Sequence, residues 1–166
     1  MWDYVRQIES EVPVLFGDDA DEVPGARRML SNLQLLQARW AIVTSGTRPL
    51  VEGWLKVLRL IEPAHMVTAE DVQRGKPDPE CYRLGLKRLQ LEQDPGSVLV
   101  LEDAPAGVRA GKAAGCLVLA LATTHRIQDL QDAGADWIVP DLRSVEIIKD
   151  SSGGTRLEIL MKDLLG

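Results

Sequence analysis

Apolar positions along the chain fall into two kinds of run, and these define the elements. Over residues 2–12, Trp2, Val5, Ile8 and Val12 recur at helical spacing among charged residues, which predicts one amphipathic helix broken by Pro13. Pro24-Gly25 leads into a second helix ending near Gln37. The short run Trp40-Ala41-Ile42-Val43 stops at Thr44-Ser45-Gly46-Thr47, a strand followed by a small-residue turn. A helix from about Pro49 to Leu60 and a short strand near His65-Met66-Val67 follow. Asp78 and Pro79 read as the N-cap and first turn of a helix running to about Gln90. Asp94-Pro95-Gly96 is a turn, and Val98–Leu101 is a fully apolar strand stopping at Glu102-Asp103. A Gly/Ala-rich helix (Ala106–Ala114), an apolar strand (Leu117–Ala122), a helix (Ile127–Ala133) and a strand (Trp137–Val139) complete the alternation. The tail, Val145–Leu160, reads as two strands joined by Ser151-Ser152-Gly153-Gly154.

Strands that are apolar on both faces and alternate with helices predict an α/β fold of three layers with a mainly parallel sheet. In such sheets ligands gather at the carboxyl ends of the strands, so polar groups ending each strand are the site candidates.

Composition narrows the picture without changing it. The 166 residues suit one domain, and 45% apolar with 27% charged residues describes a globular rather than a disordered chain. Net charge is −6 with no basic run, which argues against nucleic acid and anionic membranes as partners. The chain opens on charged residues and holds no apolar run long enough to span a bilayer, so neither a signal peptide nor a membrane anchor is expected. Cys81 and Cys116 offer no disulfide or zinc spacing, which predicts a reducing, cytoplasmic setting.

Three strand-end features carry candidate chemistry. Thr44, Ser45 and Gly46 combine a hydroxyl with backbone amides at a helix start, suited to a phosphoryl oxygen, although the same turn serves as an ordinary N-cap. In Arg74-Gly75-Lys76-Pro77-Asp78-Pro79 the prolines stiffen the chain around Lys76 and could aim its ammonium at one point; a surface lysine beside a cap is the plainer alternative. Glu102 and Asp103 are adjacent carboxylates ending a buried strand, an arrangement that suits Mg²⁺ at a phosphate as well as it suits a cap. Elsewhere, His65 and His125 lack partner spacing and read as structural. Trp2, Trp40, Trp54 and Trp137 read as core or interface. Arg48, after the first turn, fits an anion contact or a solvent-facing helix start. Asp18, Asp19, Asp21 and Glu22 form a solvated loop.

The segments AIVTSGTR, QRGKPDPECY and VLVLEDAPAGVRAGKAAGC resemble the second, third and fourth motifs of the haloacid dehalogenase (HAD) superfamily. Their wording is closest to its glycerol-phosphate and 2-deoxyglucose-6-phosphate phosphatase branch. The resemblance implies a Rossmann-like core, phosphoryl binding by Thr44, Ser45 and Gly46, and charge offset by Lys76. It also implies a Mg²⁺ site with Asp103 as direct ligand and Glu102 behind it. Lys76 and Asp103 become the catalytic candidates, and a small phosphorylated metabolite or other small anion the ligand.

The family also begins with Asp-x-Asp-Gly-Thr at the end of a central first strand, followed by a substrate-selecting cap. No such motif occurs here, and Asp19-Ala20-Asp21 follows no strand-like run. The resemblance therefore suggests an N-terminally truncated homologue. Residues 1–16 would be the remnant of a cap helix and linker, and residues 17–166 the core. A central strand would be lacking or rebuilt, and phosphatase activity would be little or none. A shortened homologue recruited as another small-metabolite enzyme, acting through Lys76, Glu102 and Asp103, is one alternative. A non-catalytic binding or oligomerisation module is another. An open break in the sheet is not expected, because each buried unpaired backbone group costs ~1–3 kcal/mol against a domain stability of ~5–15 kcal/mol. Direct pairing of Trp40–Val43 with Val98–Leu101 is one repair; insertion of the tail strands, a homo-oligomer or a partner protein is the other.

Overall fold

The structure is a computed structural model that describes residues 2–149, 155–159 and 163–165. Helix α1 (Trp2–Phe16) is followed by α2 (Ala26–Leu35), β1 (Ile42–Val43), α3 (Arg48–Val57), β2 (Met66–Val67) and α4 (Glu80–Arg88). Then come β3 (Leu99–Glu102), α5 (Pro105–Ala113), β4 (Leu117–Leu121), α6 (Ile127–Asp132), β5 (Trp137–Val139), β6 (Val145–Lys149) and β7 (Thr155–Ile159). Strands β3, β4 and β5 form one parallel sheet, with Leu99 opposite Leu117 and Leu119 opposite Trp137. Strands β1 and β2 form a second parallel pair, with Ile42 opposite Met66.

Alternation along the strands divides the core into two. Val100, Val118, Ala120 and Ile138 pack with α4, α5 and α6 on one face. Leu119, Leu121 and Val139 pack with Met29 of α2 and with Val145 and Ile147 of β6 on the other. The three-layer expectation is met. Among the described residues no helix is long and apolar enough to cross a membrane.

Two expectations fail. Pro13 does not break the first helix; α1 continues through it to Phe16. The Pro13 ring is fully buried against Gly53 of α3, where a Cβ would stand 2.7 Å from Pro13 Cγ. Packing of α1 on α3 thus outweighs the lost helical hydrogen bond.

The sheet also keeps its break. Strand β1 pairs only with β2, and β3 only with β4, among the described residues. Ile42 and Thr44 donate to His65 and Val67 in the β2 direction, so the backbone groups of Ala41 and Val43 face the other way. Leu117 donates to Val98, which turns the groups of Leu99 and Leu101 toward the same space. Between these edges lies a cleft of about 710 Å³, lined by Ile42, Val43, Leu99 and Leu101, with Met29 of α2 and Leu86 of α4 on its two faces. The expected penalty applies to groups sealed from water. Residues 41–43, Leu99 and Leu101 are only half-buried, so that full penalty does not apply to them.

The tail strands do not fill it either. β6 and β7 pair antiparallel with each other, Val145 opposite Ile159 and Ile147 opposite Leu157. Val145 and Ile147 are buried while Glu146 between them is exposed, a half-solvated pattern that a central strand cannot carry. Their connecting segment, 150–154, lies outside the described residues.

Candidate active site

The carboxyl ends of β1, β3 and β4 bring most of the candidates together. After β1, the chain turns through Thr44-Ser45-Gly46 into α3. The Gly46 amide donates to Thr44 Oγ1 at 3.0 Å, and Ser45 is exposed. Next to that turn, two amides at the start of α3 are already satisfied by carboxylates. Thr47 N donates to Glu9 Oε2 of α1 at 2.8 Å, and Arg48 N to both oxygens of Glu70 at 3.2 Å. The Thr44 and Gly46 amides are also engaged, by Val67 O and Thr44 Oγ1, so the donors left at this turn are the Thr44 hydroxyl and the exposed Ser45. Thr47 Oγ1 is buried without a hydrogen-bond partner.

Lys76 reaches across the mouth of the cleft. Its Nζ donates to Val43 O at 3.3 Å on the β1 side and to Glu102 Oε1 at the end of β3. Only 13% of the Lys76 side chain and 6% of the Glu102 side chain remain exposed, which makes this a buried ion pair rather than a screened surface one. Asp78 does not hold α4 as a conventional N-cap, because that position is Pro79, but its Oδ1 accepts from the Glu80 amide at 3.0 Å.

The Glu102 carboxylate is fully engaged by the protein. Oε1 accepts from Lys76 and from the Tyr82 hydroxyl, while Oε2 accepts from the amides of Asp103 at 3.2 Å and Ala104 at 3.4 Å. Gly107 of α5 lies against it so closely that any Cβ would overlap the carboxylate. Asp103 is freer. Its Oδ2 accepts from Thr124 Oγ1 at 2.7 Å, and its carbonyl lies 3.0 Å from His125 Nδ1.

Sequence reasoning missed two participants. Tyr82 was one helix turn into an amphipathic pattern, with nothing local to single it out. Thr124 follows β4 and carries no local signal because its partner, Asp103, is more than twenty residues away in sequence; His125, read as structural, meets the Asp103 backbone carbonyl. Arg48, in contrast, turns to Glu52 and Asp71 rather than to the strand ends.

The donor set answers the Mg²⁺ expectation in part. Asp103 fits as one oxygen ligand, but Glu102 has no oxygen to spare, and no group of three or more His, Cys, Asp or Glu gathers to hold a metal among the described residues. These side chains alone do not make a self-sufficient site.

Comparison with known proteins places the chain in a family. Residues 4–115 match the family described as haloacid dehalogenase-like hydrolase. The chain belongs to that family. It is 39% identical over 169 residues to glycerol-1-phosphate phosphohydrolase 1 of Saccharomyces cerevisiae, covering 98% of this chain and 68% of the relative. It is 34% identical to 2-deoxyglucose-6-phosphate phosphatase 1 of the same yeast, covering 93% and 69%. Among solved structures it resembles CbbY from Rhodobacter sphaeroides in complex with phosphate, with TM-score 0.67 and 26% identity over 80% of this chain and 60% of that one. The chain thus spans about two thirds or less of the length of the proteins it matches.

Proposed function

We propose that this HAD-like hydrolase homologue binds a small phosphorylated polyol or sugar at the ends of β1 and β3, with little or no phosphomonoesterase turnover by this chain alone. The observation that carries the binding half is Lys76, which is held across the cleft mouth between Val43 and Glu102 and has one of its three donors left for an anion. The turn Thr44–Gly46 supplies further donors beside it. The substrate class is taken from the names of the yeast relatives.

The catalytic half rests on the 166 residues themselves. They hold no Asp-x-Asp-Gly-Thr, and no strand lies between β1 and β3 among the described residues, which supports the reading that these residues do not supply the family's attacking aspartate. Absence of a covalent nucleophile removes several orders of magnitude in rate. Mg²⁺ is expected to bind weakly, through Asp103 and the ligand's own oxygens. The decisive assay is a panel of sugar and polyol phosphates with Mg²⁺: turnover above background that vanishes in Asp103→Asn refutes the inert reading.

A second reading, that this chain assembles with itself or with a partner protein, is favoured by the half-buried edges of β1 and β3 facing one apolar cleft. Sedimentation and amide exchange test it. A monomer whose Val43 and Leu101 amides exchange freely at working concentration counts against assembly. We extend the proposal to residues 1–16 as a cap helix and linker docked on α3 and to a cytoplasmic setting, the latter supported by two buried, unpaired cysteines.

A further inference from the structure

We infer that Tyr82 is a positioning residue, which fixes the Lys76 ammonium across the mouth of the cleft by locking the Glu102 carboxylate. The inference deepens the anion-site reading of Lys76 and rests on it for its functional consequence. A lysine side chain is a point charge on a flexible four-carbon stem, so an ammonium aimed at one place must be held there. Two of its contacts do this, Val43 O and Glu102 Oε1. The second works only if Glu102 is itself immobile.

Tyr82 supplies that immobility in two ways. Its hydroxyl donates to Glu102 Oε1, the same oxygen that receives Lys76, so both donors converge on one atom. Its ring lies beneath the ammonium, with Lys76 Nζ 5.0 Å from the ring centroid, inside cation–π range. Oε2 is meanwhile pinned by the two amides after β3, and the α5 face permits only Gly107. The carboxylate is held at both oxygens and the ammonium at two of its three donors, and Tyr82 touches both groups. Burial, followed by the Glu102 charge, pushes the phenol well above its ordinary range, so the hydroxyl remains a donor at every pH the protein meets. A Glu102 held this way is an anchor for Lys76 and has no lone pair left for a cation.

Tyr82→Phe keeps the ring and removes the hydroxyl; Tyr82→Leu removes both. In the intact chain a buried, hydrogen-bonded ammonium should give a resolved ¹⁵N–¹H signal for Lys76, with ring-current-shifted Hε protons showing cross-relaxation to the Tyr82 ring. In Tyr82→Phe the ammonium signal should broaden away while the ring-current shift persists; in Tyr82→Leu both should go. With inorganic phosphate as probe, Kd should rise about 5- to 10-fold in Tyr82→Phe, because a hydrogen bond to a charged group is lost and only part of that loss reaches the ligand. An unchanged ammonium signal and phosphate affinity within twofold in Tyr82→Phe would overturn the inference. So would the absence of Lys76–Tyr82 cross-relaxation in the unsubstituted protein, a measurement that needs no variant to fold. Should the unsubstituted protein not bind phosphate, or Lys76→Ala bind it equally well, the anion-site reading fails, while the ammonium signal still decides the role of Tyr82.

Discussion

Removing one half of the Lys76–Glu102 pair should cost far more than removing both. Glu102→Gln preserves the shape and an acceptor for Tyr82, but it strands the Lys76 ammonium with 13% of its side chain exposed. Breaking a buried pair from one side costs ~3–5 kcal/mol, and the partial access of Lys76 to water points to the lower end, about 3 kcal/mol. In a domain of this size each kcal/mol moves Tm by about 2–4 °C, so melting should fall by roughly 6–12 °C. Adding Lys76→Met removes the stranded charge and replaces it with an apolar side chain facing Tyr82 and the cleft. The double variant should recover about 2 kcal/mol relative to Glu102→Gln alone, which puts the coupling well above the ~0.5 kcal/mol of independent sites. Urea denaturation of the four proteins, checked for a constant m-value, measures the cycle. Additivity within ~0.5 kcal/mol, or a Glu102→Gln cost below ~1 kcal/mol, would refute the claim that this pair is buried and mutually dependent.

Two other perturbations have signs set by the structure. Gly25 begins α2 at φ +90°, and a Cβ there would stand 2.5 Å from the Leu142 carbonyl carbon, so Gly25→Ala should lose at least about 2 kcal/mol in thermal unfolding; Gly96→Ala, with nothing within 4 Å, should be near neutral. The Asp71 carboxyl is pulled from 3.8 to about 2, chiefly by its hydrogen bond from Arg88. A folded value below the unfolded one gives stability that is complete above about pH 4 and lost as pH falls toward 2. Asp71→Asn should therefore be less stable than the parent at pH 7 by about 1 kcal/mol after solvent screening, with the gap closing between pH 5 and 2; a gap that does not change with pH would contradict the assignment.

Local pattern was enough for much of this molecule. Runs such as Val98–Leu101 and Leu117–Ala122 are apolar on both faces, which only a covered parallel strand explains, and β3 and β4 lie there with boundaries shifted by a residue. Lys76, Glu102 and Asp103 were visible because stiff or buried backbone placed charge at strand ends. Their mutual contacts were not. Lys76 and Glu102 are 26 residues apart, and Tyr82 reaches Glu102 over 20, distances at which residue spacing carries no information about meeting. Pro13 shows the same limit in reverse: its local preference is to end a helix, and α3 overrides it by offering Gly53 as a seat.

What the sequence determined by itself was the order of elements, the family and the set of chemical groups, because these follow from periodicity and from motifs a few residues long. Whether the edges of β1 and β3 would meet depended on tertiary structure alone. Met29 of α2 and Leu86 of α4 line the cleft that separates them. Pairing between strands this far apart in the chain is a tertiary matter that residue spacing does not encode, and among the described residues β1 and β3 stay apart.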